Sequence, residues 1–272
     1  MKKLFVTTFL IFALLNVFYA QVSFTLISPL PDKLEETSAL VVYNDLFWTI
    51  NDSGGQNEVY AFNDAGEIEH TVEIQGVKNH DWESLAISDK YLLIGDFGNN
   101  RGNRKNLKII AVELSDILKT EAEPAFEISF SYLDQTSFAL ANRKTPFDCE
   151  AMEVIDEEIW LFTKDWVTFN SAAYKLKLKK GEQVAQKAQH FNPGGLITGA
   201  ALKGEHIFFI GYHKYVPILW KYQLNDMSNP LMKNELNPLH KYQTEGIAFV
   251  GEKLFITCES SAVEQSLLQL HY

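Results

Sequence analysis

The sequence predicts an all-β protein, a β-propeller of five four-stranded blades, and three observations lead to this fold class. Five segments repeat one hairpin pattern, further strand-like stretches follow the hairpins, and one unpaired strand near the N-terminus remains to complete the last blade. Repeats of this length with several strands each are typical of propeller blades. The order of the elements therefore predicts a ring that closes on itself, which removes an exposed sheet edge.

Each repeat has a polar residue at its second position, then a small residue, alternating apolar positions, a turn and a dense apolar run. The five segments are TSALVVYNDLFWTINDSG from Thr37, WESLAISDKYLLIGDFG from Trp82, CEAMEVIDEEIWLFTKDW from Cys149, ITGAALKGEHIFFIGYHKY from Ile197 and TEGIAFVGEKLFITCES from Thr244. We call the polar residue of each repeat its lead residue; these are Ser38, Glu83, Glu150, Thr198 and Glu245. Turn pairs such as Asp156-Glu157 and Gly251-Glu252 separate the two apolar runs, which predicts β-hairpins.

The remaining strand-like stretches complete the blades. Two further strands are expected behind each of the first three hairpins, and PILWKYQL supplies the first of these behind the fourth hairpin. Only SLLQLHY follows the fifth hairpin, so VSFTLIS from Val22 is expected to fill the vacant position and close the ring. The extra length between Glu83 and Glu150 is assigned to loops 97–106 and 133–148. A six-bladed ring is the alternative, if ISFSYLDQTSFAL begins a blade of its own.

The N-terminal segment predicts export. Residues 1–20 combine two lysines, an apolar run and Ala20 before a polar switch, which is the layout of a secretory signal peptide; an uncleaved membrane anchor is the alternative. Residues 21–272 are expected to form a single propeller domain in the periplasm or outside the cell, as a monomer and without a membrane span. The formal net charge of −11 argues against nucleic acid as a partner and favours cations. Cys149 and Cys258 are expected to be free, buried thiols rather than a disulfide framework.

Hairpin geometry predicts where the polar residues meet. A hairpin reverses the chain, so the start of its first strand and the end of its second lie at one edge. Since the first strand of a blade lines the central channel, the lead residues are expected to ring the channel mouth. The hairpin exits expected at the same rim are Asn51, Asp52, Asp96, Asp165, His213 and Glu259.

Three lead glutamates are candidate metal ligands, namely Glu83, Glu150 and Glu245. Converging carboxylates repel one another unless a proton or a cation neutralises them, and hard oxygen ligands suit Ca²⁺. The alternative is structural: each glutamate accepts hydrogen bonds from the next blade and clamps the ring. No EF-hand loop is present in the sequence to support the metal interpretation.

Other rim residues are candidates for ligand binding. In HDWE, His80 is a candidate general base with Asp81 fixing its tautomer, and Trp82 is a candidate stacking platform. Arg101 and Arg104, on the loop NNRGNRK, are candidates for contacting an anionic ligand such as a phosphate ester. The alternatives are packing between blades for Trp82 and ordinary solvated loops for the others. Asp96, Asp165 and His213 complete the candidate ligand-binding set.

The blocks NDSG, DWESLA, DFGNN, DCEAM, TGAAL and TEGIAF resemble, in order and spacing, a family of secreted bacterial β-propellers, and the resemblance covers most of residues 21–272. It implies a propeller fold and export but no activity. EGIAF at Glu245 also resembles the blade-opening element of gluconolactonase and regucalcin-like propellers, in which the glutamate is a metal ligand. That second resemblance spans a few residues and transfers no catalytic residue.

The functional expectation is a secreted or periplasmic propeller that binds a small ligand or a protein segment at an acidic channel mouth, through Ca²⁺. A metal-dependent hydrolase acting on a phosphate ester, lactone or glycoside at the same rim is the alternative. A purely structural interaction module, with an exposed apolar patch near Phe138 and Phe147, is a third hypothesis. Signature motifs of serine hydrolases, zinc proteases and nucleotide-binding loops are absent from the sequence.

Overall fold

The computed structural model describes residues 22–52 and 54–272. The predicted signal peptide, residues 1–20, lies outside the described residues, as does Ser53 of the NDSG block. Within the two described ranges, two single-turn 3₁₀ helices occur, Asp32–Leu34 and Asn237–Leu239. The strands of the described residues are β1 (Ser23–Pro29), β2 (Val41–Tyr43), β3 (Leu46–Ile50), β4 (Glu58–Phe62), β5 (Ile68–Ile74), β6 (Trp82–Ile87), β7 (Tyr91–Asp96), β8 (Leu107–Glu113), β9 (Glu121–Ala122), β10 (Phe126–Tyr132), β11 (Asp148–Ile155), β12 (Glu158–Lys164), β13 (Ser171–Lys177), β14 (Gly181–Phe191), β15 (Leu196–Lys203), β16 (His206–His213), β17 (Val216–Gln223), β18 (Met232–Glu235), β19 (Gln243–Val250), β20 (Lys253–Glu259) and β21 (Ser266–His271).

The strands pair into successive four-stranded antiparallel meanders. In order along the described chain, these are β2–β3–β4–β5, β6–β7–β8–β10, β11–β12–β13–β14, β15–β16–β17–β18 and β19–β20–β21–β1. In the last meander the N-terminal strand β1 runs antiparallel to β21, with Leu26 opposite Leu268. The predicted pairing of the two chain ends is therefore confirmed.

The first strands of the meanders lie against one another in a cycle. β6 contacts β11, β11 contacts β15, β15 contacts β19, and β2 contacts both β19 and β6. The first strand of each meander is thus the innermost one, and the chain is an all-β, propeller-like protein. Because the lead residues open these strands, this arrangement brings them to one end of the assembly.

Among the described residues, two parallel pairings that the sequence did not predict link neighbouring parts of the ring, one between outer strands and one through the connection between β8 and β10. β10 runs parallel to β14 over Ile128–Tyr132, which merges the second and third meanders into one eight-stranded sheet. The short strand β9 runs parallel to β5. Residues 133–147, which a sixth blade would need, are described throughout and contain no strand.

Several of the hairpin turns in the described chain place consecutive non-glycine residues at positive φ. Asp156 and Glu157 both have positive φ, 49° and 63°, as a two-residue type I′ turn requires. Lys214 and Tyr215 form a turn of the same kind at the end of β16. The Asp156-Glu157 turn fixes the register of the β11–β12 hairpin, so the lead residue Glu150 and the end of β12 lie at the same edge.

The core is formed by apolar side chains between adjacent meanders. Phe162 and Phe209, from the third and fourth meanders, pack edge to face with ring centroids 4.9 Å apart. Cys149 and Cys258 are free and buried, as the sequence predicts. Among the described residues, no helix has the length and apolar character needed to cross a lipid bilayer.

Candidate functional site

A β-bulge lies at the lead residue of each of the last four hairpins. The ladder register shifts between Trp82 and Ser84, between Cys149 and Ala151, between Ile197 and Gly199, and between Thr244 and Ile247. A bulge leaves one residue out of the ladder and re-aims its side chain. Here the displaced residues include Glu83, Glu150, Thr198 and Glu245, so the bulges are the structural means by which the first strands present these lead residues.

The two neutral lead residues clamp adjacent meanders together. The Ser38 hydroxyl donates a hydrogen bond of 3.0 Å to the carbonyl of Trp82 in the next meander. Thr198 donates one of 2.7 Å to the carbonyl of Thr244, again in the next meander. Ser38 and Thr198 thus have a structural role, which the sequence pattern did not assign to them, and the glutamates are the chemically distinct lead residues.

The three lead glutamates belong to a larger group of acids that interact electrostatically. We call this group the acidic cluster; it comprises Asp52, Asp81, Glu83, Asp148, Glu150, Glu245 and Glu259. Glu83, Glu150 and Glu245 are all buried. Glu83 is repelled by Glu150, and Glu150 in turn by Glu245. The three glutamates are thus mutually coupled and cannot all ionise without a compensating positive charge.

The pKa values of the cluster follow from this crowding. Burial, then repulsion from Glu150 and Asp52, raises the pKa of Glu83 well above its usual range. Burial and the neighbouring Asp52 raise the pKa of Asp81 to about 7. Burial raises the pKa of Glu245 to about 7, despite the opposing effect of Lys164. Burial and repulsion from Glu245 raise the pKa of Glu259 to about 9. Several members therefore hold protons near neutral pH.

One buried cation, Lys164, sits within the cluster. Its ammonium lies 3.0 Å from a carboxylate oxygen of Glu150, and the rings of Trp166 and Tyr212 are 4.7 and 5.5 Å away. Burial lowers the pKa of Lys164 and the charge of Glu150 raises it, with a net shift upward. Lys164 is therefore charged and offsets part of the negative charge on the side of Glu150.

On the side of Glu83, three carboxylates offer oxygens in the arrangement of a metal site. Asp52, Asp81 and Glu83 each place an oxygen within 4.8 Å of the other two. We call these three residues the carboxylate trio. Two ligands of one Ca²⁺ ion, each at about 2.3–2.6 Å, lie at most about 5 Å apart, so the spacing fits a single ion. Among the described residues, no other group of three acids, histidines or cysteines meets this criterion.

Gly98 allows the trio to approach the backbone closely. A Cβ atom on Gly98 would collide with Oε1 of Glu83 and with Oδ2 of Asp81. The neighbouring amides of Phe97 and Gly98 both donate to the carbonyl of Asp81, at 3.2 Å. These hydrogen bonds hold the loop after β7 against Asp81. Gly98 of the DFG run is the residue whose missing side chain leaves room for the two carboxylates.

Three of the predicted ligand-binding residues instead form an internal network. Asp96 is fully buried; one of its carboxylate oxygens lies 2.7 Å from Arg104 and the other 3.1 Å from Nδ1 of His80. The prediction that Asp81 fixes the His80 ring was wrong, because Asp96 makes that contact. Arg104 also donates to the carbonyl of Gly98 at 2.8 Å, so it braces this loop and is not free to contact an anion.

The other candidates have separate positions. Trp82 is fully buried, which leaves no ring face for a ligand, so its stacking role was predicted wrongly. Asp165 accepts hydrogen bonds from the Val167 amide and the Thr168 hydroxyl, and so caps its own turn. Arg101 is exposed on its loop. The His213 ring is half-buried and packs on Phe169, with centroids 4.9 Å apart.

Sequence reasoning missed one member of the cluster, Asp148, and the cation Lys164. Asp148 accepts hydrogen bonds of 2.6 Å from the Asn99 amide and from Nε1 of Trp166, which ties three loops together at the cluster. Lys164 precedes a predicted hairpin exit and pairs with Asp148 across the hairpin. Both residues could have been predicted from the hairpin pattern, because they lie opposite one another at the open end of the β11–β12 hairpin.

Comparisons with solved structures show the fold alone. A glutaminyl cyclase of Myxococcus xanthus is similar over 92% of this chain and 97% of its own, with a TM-score of 0.60 and 9% identity. An aldose sugar dehydrogenase of Streptomyces coelicolor, in its PQQ-bound form, is similar over 93% and 98%, with a TM-score of 0.56 and 10% identity. Both are propeller-like enzymes, and the likeness identifies this chain as a propeller-like protein. No protein-family model and no curated protein sequence match the chain, so the resemblance to secreted bacterial propellers stays a prediction.

Proposed function

We propose that this protein is an exported β-propeller that binds Ca²⁺ at the carboxylate trio and, through the bound ion, a small ligand or a protein segment. The observation that supports this proposal is the spacing of the trio, whose oxygens lie within 4.8 Å of one another. Ca²⁺ takes six to eight oxygen ligands, more than three carboxylates supply in most geometries. The remaining coordination positions are where an oxygen of the ligand would bind.

The charge balance of the acidic cluster supports a cation in this position. Lys164 offsets charge beside Glu150, and Arg104 is engaged by Asp96, with Asp81 3.8 Å from its other terminal nitrogen. Asp52, Asp81 and Glu83 repel one another and are held at short range by the fold. A divalent ion removes this repulsion, so binding it would stabilise the folded state at neutral pH.

The ring that carries the site is proposed to have five blades. Each of the five meanders contributes one first strand to the cycle of contacts, and β1 completes the fifth meander. Residues 133–147, between β10 and β11, form a loop. Five blades are thus the count that uses every meander once, and a crystal structure of the protein would test it directly.

The experiment that tests the function is thermal unfolding of residues 21–272 with Ca²⁺ and with a chelator. A ligand at about 100 times its Kd adds about 2.7 kcal/mol, which is roughly 5–10 °C for a domain of this size. Asp81→Asn and Glu83→Gln should abolish the Ca²⁺-dependent rise. The matched control is Glu153→Gln. Glu153 is another glutamate whose pKa is raised by burial, to about 8, but it lies outside the trio. It accepts a hydrogen bond of 3.1 Å from the Leu202 amide of the neighbouring meander. Because Gln keeps the oxygen that accepts the Leu202 amide and does not titrate, Glu153→Gln should leave stability at neutral pH unchanged or slightly higher, and it should keep the Ca²⁺ response. A Ca²⁺ response unchanged in the trio variants would contradict the proposal.

A metal-dependent hydrolase at the same site is the second candidate function. Glu245, which lies outside the trio and has a pKa of about 7, can accept and release a proton near neutral pH, as general acid–base catalysis requires. A cation at the trio would supply the electrophile. Hydrolysis of phosphate-ester, lactone and glycoside substrates, assayed with Ca²⁺ and with chelator, tests this candidate. If Glu245→Gln abolishes turnover and keeps Ca²⁺ binding, the protein is an enzyme. If the wild-type protein turns over none of the three substrate classes, the hydrolase candidate is rejected in favour of the binding function.

A further inference from the structure

A separate cavity of about 150 Å³ lies beside the connection between β12 and β13. Thr163, which lines it, directly precedes Lys164 of the acidic cluster in β12. Because successive strand residues point to opposite faces, the cavity and the cluster lie on opposite faces of this strand. The cavity is therefore a different site from the carboxylate trio, and its occupant is independent of the proposed function.

Two polar groups in this cavity are buried without a hydrogen-bond partner among the described residues. They are the hydroxyl of Ser171 and Oδ1 of Asn170, neighbours in sequence that both line the cavity. Ser171 is 1% exposed. Leaving such groups unpaired is costly, and in native proteins each one calls for a water or a ligand as its partner.

The acidic and lysine side chains that line the cavity together with His190 are already paired. Asp134 accepts a hydrogen bond of 3.0 Å from the Tyr174 hydroxyl and forms an ion pair with Lys187. Asp165 accepts the Val167 amide and the Thr168 hydroxyl. A charged ligand would have to break one of these pairs, whereas a neutral ligand would not. The chemistry of the cavity therefore favours a neutral occupant.

We propose that this cavity binds a small neutral polyol of the size of glycerol or a pentose. A hydroxyl group both donates and accepts, so a polyol can donate to Oδ1 of Asn170 and accept from the Ser171 hydroxyl. Phe147 and Tyr174 line the cavity as well and offer apolar surface to the carbon skeleton. Pockets for drug-sized ligands measure about 300–1,000 Å³, so a cavity of this volume admits a small molecule only.

Nuclear magnetic resonance titration of the ¹⁵N-labelled protein with D-ribose and with glycerol tests this proposal. We expect saturable shifts confined to the amides of residues 163–174 and of the facing loop 133–147. Ser171→Val should weaken binding by roughly threefold to tenfold, the loss of one hydrogen bond. The matched control is Ser28→Val, since the Ser28 hydroxyl is equally buried and unpartnered but lies in β1; it should leave the affinity unchanged.

Titration with glycine, a zwitterion of similar size, tests the chemical class. Equal or stronger binding of glycine would overturn the assignment of a neutral polyol. A wild-type protein without saturable shifts would show that water alone fills the cavity, and this also overturns the proposal. If Ser171→Val does not fold, Ser171→Ala serves as the variant and is expected to weaken D-ribose binding in the same way. If the Ser171 and Ser28 variants weaken D-ribose binding equally, the ligand does not bind in this cavity.

Discussion

The ammonium of Lys164 lies 3.0 Å from the carboxylate of Glu150, and both side chains are buried. The two residues come from paired strands of one hairpin, Glu150 at the bulge of β11 and Lys164 at the end of β12. The acidic cluster thus contains a cation of its own on one side, while the carboxylate trio lies toward β6. This asymmetry explains why a metal ion is proposed beside Glu83 rather than beside Glu150.

Replacing Lys164 tests the role of this internal cation. Lys164→Met should lower the free energy of unfolding by roughly 3–5 kcal/mol, because it leaves the Glu150 carboxylate buried without its partner. The double variant Lys164→Met with Glu150→Gln should recover much of that loss, since no buried charge remains unpaired. Urea unfolding of the two single variants and the double variant measures the coupling. Additive losses would show that the two side chains act independently.

Stability without added metal should fall as the pH rises from about 4.5 to about 9. Glu259 and Glu245 have folded-state pKa values of about 9 and about 7, above the usual 4.5. In this window the folded protein keeps protons that the unfolded chain releases, so their contribution to stability is largest below pH 4.5 and is lost through the folded pKa values.

Urea unfolding in chelator at about pH 6 and about pH 8.5 measures this dependence. Glu259→Gln should reduce the slope, because the amide does not titrate. Ca²⁺ should stabilise more strongly at the higher pH, where fewer protons compete for the carboxylates. A wild-type stability that rises with pH across this range would refute the account of the raised pKa values.

Gly98 should be required for cation binding. In Gly98→Ala the added methyl group would displace the carboxylates of Glu83 and Asp81 that it meets. We expect the Ca²⁺-dependent rise in melting temperature to shrink or vanish. The comparison variant is Gly204→Ala, where a Cβ meets nothing within 4 Å but φ is +58°. It should cost roughly 1 kcal/mol through backbone strain while keeping the Ca²⁺ response.

The repeat pattern predicted most of the fold, for local reasons. Alternating apolar positions and turn pairs such as Asp156-Glu157 determine hairpins within a short stretch of chain. The apolar strand near the N-terminus likewise identified the partner of β21. The parallel pairing of β10 with β14 was not predictable, because it joins outer strands of different meanders and no turn specifies its register.

The candidate site was predicted in part. The polar position at the start of each hairpin identified Glu83, Glu150 and Glu245 in the sequence. The bulges that present their side chains depend on strand register and were not visible there. Asp96 was expected to face a ligand; it is buried between His80 and Arg104, because an arginine eight residues further along folds back onto it. Such a contact depends on the path of a loop, which composition does not determine.

The most direct test of the central claim is a crystal structure of the protein grown with Mn²⁺ as an anomalous scatterer in place of Ca²⁺, which shares its preference for oxygen ligands. We expect one anomalous peak within coordination distance of Asp52, Asp81 and Glu83. A peak elsewhere, or density for three carboxylates hydrogen-bonded only to protein groups and water under saturating metal, would contradict it.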